Sequence, residues 1–261
     1  MPVFSANLNF LFNEVSFMEK FSAAAQAGFK NVEFMFPYDY DQNEIKKQLE
    51  QNGLKLVLFN LPAGNWAEGD RGIAADPARK DEFRSGVEKA IEAAKLFGVS
   101  RVNCLVGKVS GEWDKDLIME NLLDNIGYAA DEFQKVGLDL MVEPINRFDI
   151  PGFYLNTTDQ VVEIIRKLNK QNIYLQYDIY HAEREGEDHE MILKQYFDYI
   201  GHIQVADNPG RNEPGTGVIK IKLLFDTIDE MGFKGYIGME YKPSAATLDS
   251  LGWVEDMGYS L

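Results

Sequence analysis

Five times along this chain a helix-like stretch stops at a glycine and an apolar run follows at once: AGFKNVEF, NGLKLVLF, FGVSRVNC, VGLDLMVE and MGFKGYIGME. Glycine takes the left-handed conformation that ends a helix, and a short apolar run suits a strand covered on both faces. Repetition of the junction predicts parallel αβ units, because each return to a parallel strand needs a crossover long enough to hold a helix. The intervening stretches carry helical periodicity. Ser16 and Glu19 read as a capping box before Phe17, Phe21 and Ala24, and a second helix is expected over about 41–51. Asp76 and Pro77 open a long helix with Phe83, Val87, Ala90, Ile91 and Ala94 on one face. Further stripes follow at Ile118, Leu122, Ala129 and Phe133, at Val161, Ile164, Ile165 and Leu168, and at Ile221, Leu224, Phe225, Ile228 and Met231, with a shorter helical stretch near 188–196. Strands count out at 3–9, 31–36, 54–60, 101–107, 138–143, 172–178, 199–207 and 236–240. The expected fold is therefore a single (β/α)8 TIM barrel spanning 1–261. A doubly wound open sheet would call for a Gly-rich phosphate loop after the first strand, and the sequence has none.

Charge narrows the function. Lys plus Arg number 26 against 42 Asp plus Glu, a formal charge of −16, so the global field repels phosphate backbones and nucleic acid is not an expected partner. The N-terminal stretch lacks a secretory leader and no apolar run could span a bilayer, so a cytoplasmic protein without a membrane partner is expected. A homo-oligomer is compatible with the sequence but not specified by it. The single cysteine, Cys104, excludes an internal disulfide and reads as a buried strand residue with no catalytic part. With only three histidines, His181, His189 and His202, a metal site would lean on oxygen.

Oxygen ligands are what the strand ends supply. LDLMVEPINR climbs to Glu143 and stops at Pro144, which cannot continue a ladder; YIGMEYKP repeats the pattern with Glu240 and Pro243. Asp178 and Gln204 end the two strands between them. In a parallel barrel these carboxyl ends converge on the active-site face, where three carboxylates would repel one another unless a cation relieved them. A hard divalent ion, Mg²⁺ or Mn²⁺, suits such a set. Residues 62–76 have the composition of a functional loop above the same mouth. Lys242, Arg211 and Arg147 follow strands eight, seven and five, where they could draw an anionic substrate against the net charge.

The segments FMFPYDY, VEPIN, QYDIYH, HIQVAD.PGR.EPGTG, EYKP and SLGW together resemble the hydroxypyruvate isomerase family of xylose-isomerase-like TIM barrels, over essentially the whole chain. The resemblance implies interconversion of hydroxypyruvate and tartronate semialdehyde through an enediolate, with Glu143 and Glu240 as proton donor and acceptor. It further implies metal ligation by Glu143, Asp178, Gln204 and Glu240, and substrate binding by His181 and Arg211. Related epimerases often carry histidine where this chain has Gln204, and the family usually continues after Gly217 with Glu and Asn where this chain has Val218 and Lys220. That second departure leads one to expect a shifted substrate preference. A four-carbon 2-oxo acid or a ketose undergoing 3-epimerisation are the alternative substrates. An apurinic endonuclease would want more histidine and a basic face, and a non-catalytic sugar-binding barrel would not need both glutamates.

Overall fold

The computed structural model describes residues 1–109, 111 and 113–261. In chain order it runs β1 (Phe4–Asn7), α1 (Phe17–Gln26), β2 (Asn31–Glu33), α2 (Gln42–Asn52), β3 (Lys55–Asn60), α3 (Lys80–Phe97), β4 (Arg101–Cys104) and α4 (Lys115–Gln134). It continues with β5 (Asp139–Val142), α5 (Thr158–Leu168), β6 (Ile173–Asp178), α6 (Ile179–Glu185), α7 (His189–Tyr196), β7 (Ile200–Val205), α8 (Ile221–Glu230), β8 (Ile237–Met239) and α9 (Trp253–Asp256). The strands pair in sequence order, all parallel, and β8 returns to β1 with Ser5 opposite Gly238, closing the barrel. No described helix is long and apolar enough to cross a membrane.

The expected start and stop signals act as their chemistry dictates. Ser16 and Glu19 form the capping box of α1, and Asp41 accepts the N–H groups of Asn43 and Glu44 ahead of α2. Asp76 accepts from Ala78, and Pro77 begins a 3₁₀ turn that runs into α3. Gly53 and Gly98 adopt left-handed conformations at the ends of α2 and α3. Several strands are shorter than expected, β1 ending at Asn7 and β4 at Cys104, and two boundaries have a local cause. Pairing in β2 ends at Glu33 rather than near Phe36, because the ladder to β3 shifts register there. The turn after β6 is helical at once, since Asp178 caps α6 with its own side chain.

Strand alternation divides the barrel into two environments. Phe4, Ala6, Val32, Val102, Leu140, Val142, Ile203, Val205, Ile237 and Met239 are buried within the apolar core. Their neighbours Ser5, Asn7, Glu33, Asn103, Gln176, His202 and Gln204 are equally buried yet polar, and bond to one another or to strand-end carboxylates across strands. The apolar helix faces thus stabilise the outside of the barrel while its upper interior is a hydrogen-bonded polar cage. The SLGW segment packs at the far edge, where Trp253 meets Phe4 edge-on at 5.5 Å beside Phe225 and Tyr259. Its contribution is apolar closure of the chain ends, not chemistry.

Candidate active site

Glu143 follows β5 directly and turns into a buried cavity of about 130 Å³, which Glu240, His181, Arg211, Gln204, Glu33 and Trp66 also line. One oxygen of Glu143 accepts from Asn103 Nδ2 at 2.8 Å. Burial pushes its carboxyl up to about 8, with the charge of Asp178 adding and Asn103 opposing. Asp178 divides its oxygens. Oδ1 accepts from the backbone N–H of Tyr180 at 2.8 Å and of His181 at 3.4 Å, while Oδ2 is buried without a hydrogen-bond partner among the described residues. Burial raises this carboxyl too, against Arg211.

Glu240 is surrounded by donors. Its Oε1 accepts from Arg211 Nη2 at 2.6 Å, and its Oε2 from Asn7 Nδ2 at 2.8 Å and Gln204 Nε2 at 2.5 Å. Burial raises its carboxyl well above the usual range, and Arg211 opposes. The same two amides also donate to Glu33 Oε1, at 3.2 Å and 2.8 Å, so Asn7 and Gln204 bridge two carboxylates. Glu33 takes Ser5 and His202 on its other oxygen, at 2.7 and 2.9 Å. Burial would raise Glu33, but His202 and these hydrogen bonds hold it below the ordinary value. Its carboxylate occupies space that Gly238 leaves empty, since a Cβ there would lie 2.2 Å from Glu33 Oε1.

The loop after β7 delivers Arg211. Asp207 organises it by accepting the backbone N–H groups of Asn208, Gly215, Gly217 and Ile219. Gly217 is required, because a Cβ would sit 2.0 Å from the Asn208 carbonyl oxygen. Arg211 itself has φ of 54° and lies between the rings of Phe10 and Tyr180, 4.8 and 4.9 Å from their centroids.

The expected site residues divide between the cavity and the surface. Gln204 and Glu240, expected as metal ligands, line the cavity with Glu143; Gln204 Oε1 accepts from Gln176 at 2.7 Å, and both oxygens of Glu240 hold donors. Glu143, Asp178 and His181 bring ligand atoms within 4.8 Å of one another. Lys242 is exposed and lines an outer groove with Phe10 and Glu14, not the central cavity. Arg147 points outward to Glu185, which it meets at 2.6 Å. Neither lines the central cavity, because both lie in loops beyond the strand ends and those loops carry their side chains outward. Val218 and Lys220 are likewise exposed and outside the cavity lining. The 62–76 loop does reach the site, through Trp66. Cys104 is buried, as expected, and burial raises its thiol. Glu33, Asn7, Asn103 and Asn146 were not anticipated. The available signal for Glu33 was that NVEF ends a strand on an acid just as LMVE and IGME do.

A divalent ion suits the donors present: two adjacent buried carboxylates, one with an orphaned oxygen, are an arrangement that a cation relieves. The xylose isomerase-like TIM barrel family model matches residues 21–257. A hydroxypyruvate isomerase of Escherichia coli strain K12 is 47% identical over 252 residues, covering 97% of this chain and 98% of that protein. A 2-oxo-tetronate isomerase of Cupriavidus necator is 39% identical over 255 residues, covering 98% of each. A crystal structure described as AP endonuclease, family 2, from Brucella melitensis superposes with a TM-score of 0.96 at 37% identity, covering 98% of this chain and 99% of its own. At 19% identity a D-allulose 3-epimerase from Methylomonas shares the fold, with a TM-score of 0.76 over all of this chain and 92% of that one.

Proposed function

The chain belongs to the xylose isomerase-like TIM barrel family and is an isomerase of the hydroxypyruvate isomerase type; on that footing we propose that it interconverts hydroxypyruvate and tartronate semialdehyde through an enediolate. What supports this reading is one observation: two glutamates that directly follow β5 and β8, Glu143 buried and Glu240 partly buried, face a single small cavity that also holds the donors His181 and Arg211. We place the enzyme in the cytoplasm, acting on a small anionic substrate. The charge of −16 argues against the nucleic-acid substrate that an endonuclease would take.

Isomerisation removes a proton beside the carbonyl and returns one to the neighbouring carbon. Burial raises both carboxyls, so it does not separate their roles. Glu240, with three N–H donors on its two oxygens, is arranged as the carboxylate acceptor, which leaves Glu143 as the donor. The buried Arg211 Nε has no partner among the described residues, and with His181 it can bind the oxygens of the substrate's oxo-acid end. Glu143 and Asp178 would hold Mg²⁺ or Mn²⁺, whose Lewis acidity would stabilise negative charge developing on those oxygens. Gln204 and Glu240 can add oxygen to that ion only by giving up the partners described above.

Proton NMR of hydroxypyruvate with the enzyme in D₂O tests the function. Loss of the hydroxymethyl signal by exchange is expected. No exchange, with turnover of a four-carbon 2-oxo acid, would move the assignment to the 2-oxo-tetronate reaction named for the relatives at 39% identity.

A further inference from the structure

His181 sits in the first turn of α6, buried, with Nε2 toward Asp178 and Arg211 and Nδ1 toward Asn146. Neutral imidazole carries its proton on one nitrogen, and that choice decides whether His181 offers the cavity an N–H or a lone pair. We propose that Asn146 is a positioning residue that fixes the proton of His181 on Nε2, making the imidazole a hydrogen-bond donor to substrate rather than a metal ligand. The inference deepens the proposed function, in which His181 binds the substrate.

The argument runs through Asn146. An amide can present either its oxygen or its NH₂ group, but here the choice is made elsewhere: Oδ1 accepts from the backbone N–H of Phe148 at 3.1 Å and of Asp149 at 2.9 Å. Backbone donors cannot be inverted, so Oδ1 stays with them and Nδ2 faces His181 Nδ1 at 2.6 Å. The backbone N–H of Asn146 points at the same nitrogen from 3.5 Å. Two donors converge on Nδ1, which must accept. The proton is left to Nε2, whose neighbour at 3.5 Å is Asp178 Oδ2, without a hydrogen-bond partner among the described residues. The second N–H of Arg211 Nη2 could also face Nε2, but from 3.5 Å it is far weaker than the 2.6 Å contact of Asn146 Nδ2 to Nδ1.

The plain alternative is that Asn146 only caps its turn, and Asn146→Asp separates the two roles. The aspartate keeps an oxygen for Phe148 and Asp149 but replaces the donor facing Nδ1 with an acceptor, which pulls the proton to Nδ1. Histidine-selective ¹⁵N NMR reads the tautomer without substrate or metal, with His181 assigned among three histidines by its loss in His181→Gln. At about pH 8.5, some two units above the ordinary histidine pKa of about 6.5, the wild-type enzyme should show protonated Nε2 and bare Nδ1, and Asn146→Asp the reverse. The variant should lose at least about tenfold in kcat with its melting temperature kept. Protonated Nδ1 in the wild type, or undiminished kcat in a variant whose Nε2 has lost its proton, would overturn the proposal. Because the tautomer is read without turnover, a failure of the hydroxypyruvate assignment would leave that measurement intact.

Discussion

Arg211 Nη2 lies 2.6 Å from Glu240 Oε1, so the cation placed to receive an anionic substrate is already paired with a residue placed to move a proton. Removing Arg211 should therefore do more than weaken binding. Arg211→Ala is expected to raise KM and also to lower kcat, because Glu240 loses the partner that orients it. The combined loss in kcat/KM should reach about 1.5–3 kcal/mol, or roughly ten- to a hundredfold, the range for a charge-assisted contact. Lys242→Ala and Arg147→Ala, whose side chains lie outside the cavity, should change neither constant by more than about twofold. Steady-state kinetics on the three variants checks this, and a KM effect from Lys242 as large as that from Arg211 would refute the assignment.

Glu143→Gln and Glu240→Gln should each lower kcat at least about a hundredfold, the scale for losing a positioned acid or base. They should differ in a second respect. Gln in place of Glu143 can still accept from Asn103, whereas at Glu240 an amide must turn one NH₂ toward Arg211 or toward two other NH₂ groups. Denaturant melts should show Glu240→Gln as the more destabilised variant.

Metal and proton should compete for the same carboxylates. Glu143 is raised to about 8 in the fold against about 4.5 in the unfolded chain, so between those values the folded state binds the extra proton. The contribution to stability is full below about 4.5 and is lost as pH rises toward about 8. Without metal, the melting temperature should therefore fall over that window, apart from other groups; Glu143→Gln should flatten the decline. Millimolar Mg²⁺ or Mn²⁺ should raise it, and by more at pH 8 than at pH 5, since fewer protons need displacing. A shift that is equal at both pH values would place the ion away from Glu143.

Glu33 should prove indispensable to the cage that lines the cavity. Glu33→Leu leaves Ser5 and His202 without their acceptor, at about 1–3 kcal/mol for each group orphaned. Glu33→Gln should be milder, because the hydroxyl and the imidazole can each accept from its NH₂ group. Gly238→Ala, which pushes into the same carboxylate, should resemble the leucine variant. Equal midpoints for the leucine and glutamine variants would mean that the polar contacts of Glu33 contribute little.

Local chemistry in the chain determined the barrel: the repeated helix, glycine and apolar-run junctions, the caps at Ser16, Asp41 and Asp76, and the helical stripes all act within a few residues, and a sequence records such spacing directly. It likewise placed Glu143, Asp178 and Glu240 at strand ends, because a strand's carboxyl end in a parallel barrel is known once the strand is known. The orientation of side chains at those ends was decided only by the closed structure. Lys242 and Arg147 lie two and four residues past inward-facing glutamates yet face outward, a matter of the loop path beyond the strand ends. Glu33 became part of the site through contacts to β1 and β7, and Gln204 offers N–H rather than oxygen because two carboxylates and Gln176 surround its amide. Hydrogen-bond direction at a buried amide or imidazole depends on partners from distant strands and loops, and no spacing within one segment carries that information.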